Sequence, residues 1–334
     1  MICALLLGST LSEAKPLPKG ILASVNKGEN TVSLIRLETG ETMIKLASGM
    51  NPQEVVFSED GLKAVVSNMG KGATQPGKTL TVIDVLSRKL GGEVDLGEHH
   101  SPHGLVFLDE DRVLMTSHAT DSLVVVNVEE KVIERAVKTE GKGTHLVVLS
   151  PDKKTAYTAN VFTGDVSVID LALGKTLKRI PAGQRAEGIS ISPDGKLVAI
   201  GCMGDNTVSI IDTVKLEVIK TIEGLAGPIR TFFSNDGLKL LVSCAGSGEV
   251  AVIDRISLRV TNRISLCSGG LFTLSQGTAP IPMNFERHAD GRHIFVAVIN
   301  ADAIAVINLE KMAVVGKAAT GSLPDGIAWT KGTS

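Results

Sequence analysis

The sequence predicts an all-β fold, a seven-bladed β-propeller with four antiparallel strands in each blade. Three observations lead to this prediction. A segment of the type Val-Ser-Ile-Ile-Asp, as at 208–212, recurs at spacings of roughly 42 to 54 residues, which is the range of propeller blades. A turn of the type Ser-Pro-Asp-Gly, as at 192–195, recurs with it. The last segment of the chain resembles the strand that the first blade lacks.

Residues 183–224 contain one complete unit. Four short apolar runs, alternating or β-branched, are separated by Ser-Pro-Asp-Gly, Gly-Asp-Asn and Lys-Leu-Glu. Period-two runs bounded by turn residues predict antiparallel strands. The third strand of this unit recurs seven times and ends at Arg36, Asp84, Asn127, Asp170, Asp212, Asp254 and Asn308. The turn before the second strand recurs at 58–61, 150–153, 192–195, 234–237 and 288–291.

The two ends of the chain complement each other. Residues 21–26 match the second strand of a blade, whereas residues 323–329 match a first strand. The C-terminal strand should therefore join the N-terminal blade and close the ring, which leaves no long exposed sheet edge. We expect a single propeller domain over residues 21–330 and a monomer.

Residues 1–20 stand outside the repeats. Residues 1–8 are mostly apolar, and Ser12-Glu13-Ala14 is a small-x-small site followed by Lys15. This pattern is typical of a short signal peptide, although no Lys or Arg precedes the apolar run. We expect a signal peptide on a secreted or periplasmic protein; the alternative is a disordered or packed arm on a cytoplasmic one.

Composition argues against two classes of function. A formal net charge of −2 gives no electrostatic basis for tight nucleic-acid binding, which needs many Lys and Arg side chains. No apolar run approaches the roughly 18 to 20 residues that a membrane span requires. Aromatic residues are only 3% of the chain, so Val, Ile, Leu and Ala should form the core.

Three segments carry a family resemblance. The Ser-Pro-Asp-Gly turn, the following Ala-Tyr-Thr-Ala-Asn at 156–160 and Val-Ser-Val-Ile-Asp at 166–170 resemble the YVTN-repeat β-propellers. The resemblance covers nearly all of residues 21–330. It implies an exported protein, related in shape to the quinoprotein amine dehydrogenase and lactonase propellers. It does not imply a function, because the repeat motif is structural, and no attachment motif for a quinone or haem d1 is found in the sequence.

The repeat also assigns the loops to two rims. The loops that lead into the inner strands, and those between strands two and three, share one rim, which we call the mouth rim. The Ser-Pro-Asp-Gly turns lie on the other, the turn rim. The mouth rim carries the irregular loops, at 69–78, 97–101 and 267–280. Because binding groups concentrate on variable loops of a rigid scaffold, we expect the functional site there.

One position near the start of each inner strand stands out. In blade order it is occupied by Asp325, Gln53, His103, His145, Glu187, Ile229 and Met283. A second ring, at the end of strand two, is predicted to contain Asn26, Asn68, His118, Asn160, Cys202, Cys244 and Val298. With His99 and His100, five of the seven histidines fall on blades three and four, and Arg185 and Arg230 add positive charge nearby.

These residues have two interpretations. His103, His145 and Glu187 are candidate catalytic residues, either as acid–base groups or as a two-His, one-carboxylate metal site. The sequence leaves open whether a metal binds. The candidate ligand-binding residues are Gln53, His99, His100, His118, Asn160, Arg185, Arg230 and Asp325. The alternative is that these rim positions are simply polar and solvated.

Residues 72–79 match the phosphate-binding pattern Gly-x-x-x-x-Gly-Lys-Thr letter for letter. That site requires a helix after the loop, so that helix amides meet the phosphate. Here the following residues continue as a predicted strand of the repeat. We therefore expect no nucleotide at this loop.

Two classes of function remain. The first is an exported propeller that binds a small molecule or an extracytoplasmic partner at the mouth of its channel. The second is an enzyme of lactonase, lyase or isomerase type that uses the histidines and Glu187. Propeller architecture by itself does not decide between them.

Overall fold

The computed structural model describes residues 17–274 and 277–332. Within them the chain forms seven antiparallel sheets of four strands. Each inner strand contacts the inner strands of the two neighbouring blades, and this series of contacts closes into a ring. The predicted seven-bladed propeller is therefore confirmed. The predicted signal peptide at residues 1–14 lies outside the described residues.

The strands are numbered along the chain, and each blade takes one strand from each of four sets. The inner strands are β28 (Pro324–Thr330), β4 (Pro52–Phe57), β8 (Pro102–Phe107), β12 (Thr144–Leu149), β16 (Ala186–Ile191), β20 (Pro228–Phe233) and β24 (Pro282–Arg287). The second strands are β1 (Ile21–Asn26), β5 (Lys63–Gly70), β9 (Arg112–Ser117), β13 (Thr155–Asn160), β17 (Leu197–Cys202), β21 (Lys239–Cys244) and β25 (His293–Val298).

The third strands are β2 (Thr31–Arg36), β6 (Pro76–Asp84), β10 (Ser122–Asn127), β14 (Asp165–Asp170), β18 (Thr207–Asp212), β22 (Glu249–Asp254) and β26 (Ala303–Asn308). The outer strands are β3 (Glu41–Ala47), β7 (Lys89–Asp95), β11 (Val132–Lys138), β15 (Lys175–Pro181), β19 (Glu217–Ile222), β23 (Arg259–Ser265) and β27 (Ala313–Ala319). Short 3₁₀ turns occupy Gly72–Thr74, Ser268–Gly270 and Ile299–Ala301.

The ring closes as the sequence predicts. Strand β28 pairs antiparallel with β1, with Ala328 opposite Ala23 and Trp329 opposite Leu22. The indole Nε1 of Trp329 also donates a hydrogen bond to the carbonyl of Lys19 at 3.1 Å. The C-terminal strand therefore supplies the inner strand of blade one.

The core lies between neighbouring sheets. In blade five the second and third strands are buried on both faces, because each blade is covered by the next, whereas the outer strand is mostly exposed and only Ile222 in it is buried. One cluster, between blades four and five, contains Val168, Ile200 and Ile211. Aliphatic and β-branched side chains suit this pleated, two-sided packing, so the low aromatic content is consistent with the fold.

The glycine-rich loop at 72–79 does not lead into a helix. A 3₁₀ turn at Gly72–Thr74 passes directly into strand β6, which begins at Pro76. The predicted strand is confirmed, and the loop lacks the helix N-terminus that a phosphate-binding loop of this pattern uses. No helix in the described part of the chain is long and apolar enough to cross a membrane.

Candidate functional site

The seven predicted ring positions are structurally equivalent. Each is the second residue of an inner strand, and each inner strand has a shift of pairing register near this residue. A β-bulge bends a strand and redirects its side chains. The mouth therefore presents Asp325, Gln53, His103, His145, Glu187, Ile229 and Met283 at one level of the channel.

Three of these residues form a contiguous group, which we call the mouth triad: His103, His145 and Glu187. The Nε2 atom of His145 lies 2.9 Å from Oε2 of Glu187. The rings of His103 and His145 are 3.7 Å apart between centroids and tilted by 43°. Arg185 approaches the other oxygen of Glu187 at 3.4 Å. The structure thus brings together the three residues that the sequence named as candidate catalytic groups.

Hydroxyl groups of neighbouring blades hold the backbone of the two histidines. Ser67 Oγ donates to the carbonyl of His103 at 2.7 Å, and Thr116 Oγ1 donates to the carbonyl of His145 at 2.5 Å. The Thr116 hydroxyl also accepts the amide of Gly104 at 2.8 Å. The bulges at His103 and His145 are therefore each tied to the preceding blade, which holds the two histidines on rigid backbone.

A buried ion pair, with an asparagine beside it, lies at the next position of three inner strands. Arg230 Nη2 is 3.0 Å from Oε1 of Glu54, and Asn284 Nδ2 is 2.6 Å from Oε2 of Glu54. Glu54 and Arg230 are only 7% and 5% exposed. The sequence analysis named Arg230 but missed Glu54 and Asn284. They could have been found by aligning the position after each ring residue, where three blades have glycine.

Blade one contributes a second ion pair at the same level. Lys27 Nζ lies 3.0 Å from Oδ2 of Asp325 and 3.1 Å from Oε1 of Gln53. Lys27 was also missed, because it follows the end of a second strand rather than occupying the ring position. One oxygen of Asp325 and one of Gln53 therefore bind the ammonium group of Lys27.

The surroundings shift the pKa values of several of these groups. Burial lowers the pKa of His103 well below its usual range, and the charges of His145 and Arg230 lower it further. Burial alone would raise the pKa of Glu187, but the hydrogen bond and charge of His145, aided by Arg230 and Arg185, lower it to about 2. Burial raises the pKa of Glu54 to about 7 against the opposing charge of Arg230. The channel therefore contains a neutral imidazole beside an ionised carboxylate.

His118, another predicted site residue, lies beside the mouth triad. His118 follows β9, and Ser117 occupies the strand end that the sequence analysis assigned to His118. The His118 ring lies 6.2 Å from that of His145 and 5.2 Å from that of Phe162.

His99 and His100 belong to the loop before blade three. The Nδ1 atom of His99 lies 3.1 Å from Thr120 Oγ1, and the His100 carbonyl accepts Ser117 Oγ–H at 2.8 Å. His99 is therefore tied to the turn that follows β9, and His100 to the last residue of β9.

Asn160 is fully buried within its own blade. It donates to Asp165 and Ser167 and accepts from Thr144. This side chain holds the end of strand two to strand three, and its hydrogen bonds are made inside the protein.

Several buried polar atoms around the channel have no hydrogen-bond partner among the described protein atoms. They are Nδ1 of His103, Nδ1 of His145, Nε of Arg230 and Oδ1 of Asp325. An unpaired buried polar atom costs about 1–3 kcal/mol, so most such atoms in proteins have a partner, either protein or solvent. Four of them belong to residues that line one channel.

The ligating atoms of the mouth triad do not converge on one point as a metal site would require. Among the described residues, one group of three has its ligand atoms within 4.8 Å of one another: His288, Asp290 and His293. That group lies on the turn rim. The two-His, one-carboxylate interpretation of the mouth therefore lacks geometric support.

Comparison with known proteins supports the fold. Residues 108–231, little more than a third of the chain, match the family model described as the cytochrome D1 heme domain. No curated protein matches the chain.

Three solved structures share the architecture at low identity. Hydrazine synthase of Kuenenia stuttgartiensis is 19% identical with a TM-score of 0.69, over 83% of this chain and 89% of that chain. Dihydro-heme d1 dehydrogenase NirN in complex with DHE is 16% identical with a TM-score of 0.67, over 94% of this chain and 76% of that chain. A functionally unknown protein from Desulfotomaculum acetoxidans DSM 771 is 14% identical with a TM-score of 0.76, over 94% and 100%. The chain is a β-propeller. At these identities the likeness shows the fold alone.

Proposed function

We propose that the mouth of the channel binds a small polar molecule that offers both hydrogen-bond donors and acceptors. The observation that supports this proposal is the set of unpartnered atoms on His103, His145, Arg230 and Asp325. The Arg230 Nε–H is a donor, the Asp325 oxygen is an acceptor, and a neutral imidazole supplies one of each. A hydroxylated or amide-bearing molecule can satisfy all of them.

The charges around the mouth favour a ligand of low net charge. Each of the three cations there is already paired with a carboxylate: Lys27 with Asp325, Arg230 with Glu54, and Arg185 with Glu187. A highly charged ligand would have to break one of these pairs. A neutral polar molecule would leave all three in place.

There is space for such a molecule in the channel. A cavity of about 340 Å³ there is lined by Glu54, Arg230 and Asn284, among others. A cavity of about 860 Å³ lies on the turn rim and includes Trp329. We place the ligand at the mouth, despite the larger volume of the other cavity, because the unpartnered atoms of the channel are there.

The pairing of His145 with Glu187 favours a second candidate function, acid–base catalysis. An ionised Glu187 accepts the Nε2–H of His145, so the lone pair of this imidazole is on Nδ1, which has no protein partner. A carboxylate that orients a histidine in this manner is the usual arrangement of a general base. Turnover would then depend on both residues.

The partial match to the cytochrome D1 heme domain raises haem d1 as a ligand, and the mouth does not fit it. The carboxylates of a tetrapyrrole need free cations, and the three cations here are paired. We therefore assign no step to haem.

The test is a thermal-shift and calorimetric screen of neutral sugars, sugar lactones and haemin against the wild-type protein, His145→Ala and Glu187→Gln. A ligand at 100 times its Kd should add about 2.7 kcal/mol of stability. We expect a sugar or lactone to stabilise the wild type and to lose at least tenfold in affinity in both variants.

The control is His293→Thr on the turn rim, which should bind like the wild type. Equal binding by all variants would place the ligand elsewhere and contradict the proposal. A haemin Soret shift that depends on His145 would overturn it in favour of haem. Loss of lactone turnover by 10²- to 10⁴-fold in His145→Ala would establish the catalytic alternative.

We further propose that the protein is exported. The support is the apolar run at residues 1–8 and the small-x-small site at 12–14. Mass spectrometry of protein recovered from the extracytoplasmic fraction should show a chain that starts near Lys15. An intact Met1 in that fraction would contradict cleavage, and recovery in the cytoplasm alone would contradict export.

A further inference from the structure

The turn between the first and second strands has the same internal bonding in four blades. A serine Oγ donates to Oδ1 of the aspartate two residues later, at 2.6 Å for Ser58, Ser150 and Ser234 and 2.7 Å for Ser192. Blade seven departs from this pattern. It has His288 in place of the serine and a second histidine, His293, at the first residue of the following strand.

The two imidazoles converge on one oxygen of Asp290. The backbone amides of Arg292 and His293 donate to Oδ1 of Asp290 at 2.9 and 3.0 Å, which leaves Oδ2 for other partners. This Oδ2 lies 2.7 Å from Nδ1 of His293 and 3.2 Å from Nδ1 of His288. One ligand atom from each residue lies within 4.8 Å of the other two.

We propose that His288, Asp290 and His293 form a binding site for a divalent transition metal of the zinc class. Two imidazole nitrogens and one carboxylate oxygen are a donor set that suits Zn²⁺ and its neighbours rather than Mg²⁺ or Ca²⁺. Ligands about 2.0–2.1 Å from a tetrahedral ion are separated by about 3.4 Å, so the side chains need only small adjustments. The site is independent of the mouth.

The surroundings of His288 prepare it to bind a metal through Nδ1. Its Nε2 lies 2.9 Å from the carbonyl of Lys19, which can only accept, so the ring proton is on Nε2. The lone pair of Nδ1 accepts the backbone amide of Asp290 at 3.2 Å, and a metal ion would take the place of this hydrogen bond. A backbone carbonyl on the far nitrogen is the usual support of a metal-binding histidine.

Asp290 also lines a cavity of about 350 Å³ together with Asn235 and Glu310. Water can therefore reach the ion and complete its coordination. Three protein ligands with one open position are typical of a metal site that exchanges its outer ligand.

At His293 the contact to Nε2 disfavours metal binding through Nδ1. Its Nε2 lies 3.3 Å from Nδ2 of Asn308, whose Oδ1 is held by the amides of Glu310 and Lys311. The amide hydrogens thus face Nε2, which favours the tautomer with the proton on Nδ1. Metal binding must move this proton to Nε2 and break that contact. The asparagine should therefore weaken the site.

The residues at this position in other blades indicate a variant that tests the effect of Asn308. Four other blades carry aspartate at the position of Asn308: Asp84, Asp170, Asp212 and Asp254. Asn308→Asp keeps the acceptor for the turn amides and places a carboxylate oxygen opposite Nε2 of His293. The histidine can then bind metal through Nδ1 and donate its Nε2 proton to the introduced carboxylate, so affinity should rise by about 10- to 100-fold.

The experiment uses untagged protein dialysed against EDTA and titrated calorimetrically with Zn²⁺. The wild type should bind one ion per chain at this site, whereas the double variant His288→Ser/His293→Thr should bind it at least 100-fold more weakly. This variant restores a turn sequence that blade four already contains, at Ser150 and Thr155, so its fold is expected to persist. His145→Ala should bind zinc like the wild type.

A second readout is the fluorescence of Trp329, the single tryptophan of the chain. Its ring centroid is 4.8 Å from that of His288, so a paramagnetic Cu²⁺ ion bound there should quench it. Undiminished zinc binding and copper quenching in His288→Ser/His293→Thr would overturn the proposal, as would no zinc binding by the wild type. Unchanged or weaker binding in Asn308→Asp would overturn the assignment of Nδ1 of His293 as a ligand.

Discussion

Replacing Glu187 by Gln should remove a pH-dependent contribution of about 3 kcal/mol to the stability of the fold. The pKa of Glu187 falls from 4.5 to about 2, because the hydrogen bond and charge of His145 outweigh the effect of burial. A difference of about 2.5 pKa units, at about 1.4 kcal/mol per unit, gives about 3 kcal/mol. The side chain of Glu187 is 15% exposed, so solvent screens this interaction only in part.

The sign of the pH dependence follows from the lowered pKa. A carboxyl group with a lower pKa in the folded state stabilises the protein above its unfolded pKa and loses this effect as the pH falls through the folded pKa. The advantage of the wild type over Glu187→Gln, which includes the charge of protonated His145, should therefore be close to its full value at pH 5. It should fall to less than about half by pH 3 and approach zero near pH 2.

Urea unfolding followed by circular dichroism at pH 7, 6, 5, 4 and 3 measures this difference directly. The matched control is Glu41→Gln, which breaks an exposed pair with Arg36 and should cost less than about 1 kcal/mol. A stability difference that stays the same from pH 7 to pH 3 would refute the role assigned to the His145 hydrogen bond. A difference below about 1 kcal/mol at pH 7 would do the same.

Three further predictions concern the ring and the channel. Deleting residues 323–334 removes the inner strand of blade one and should unfold or aggregate the protein; a melting temperature within a few degrees of the wild type would contradict the observed closure. Arg230→Met leaves the charge of Glu54 buried without its cation and should cost about 3–5 kcal/mol in urea unfolding at pH 8, whereas the double variant with Glu54→Gln should recover part of this loss. Thr116→Val leaves the amide of Gly104 without its acceptor and should cost about 1–3 kcal/mol, measured by the same method; an unchanged midpoint would show that the bulge does not depend on this hydroxyl.

The sequence predicted the fold because the fold is repetitive. Each blade repeats a local pattern of strand and turn residues, and seven copies make the blade count independent of any single segment. The same repetition brought His103, His145 and Glu187 to equivalent positions, since residues at one place in a repeat occupy one place in the ring.

The repeat predicted a wrong position where the loop between two strands changes length. His118 was assigned to the end of strand two by a constant spacing from the ring residue. In blade three, however, only residues 108–111 separate the inner strand from the second, one residue fewer than in blade two, so Ser117 takes that place. A deletion of one residue shifts the register without altering the pattern of apolar residues.

By itself, then, the sequence determined the number of blades, the order of the strands, the closure by residues 323–329 and the level at which the mouth triad lies. Only the tertiary structure decided which side chains meet across the channel. Glu54 meets Arg230 and Asn284, over separations of 176 and 230 residues. The physical reason is that a strand pattern specifies the direction of a side chain, whereas a contact across a ring depends on the curvature of the whole ring, the bulges and the rotamers.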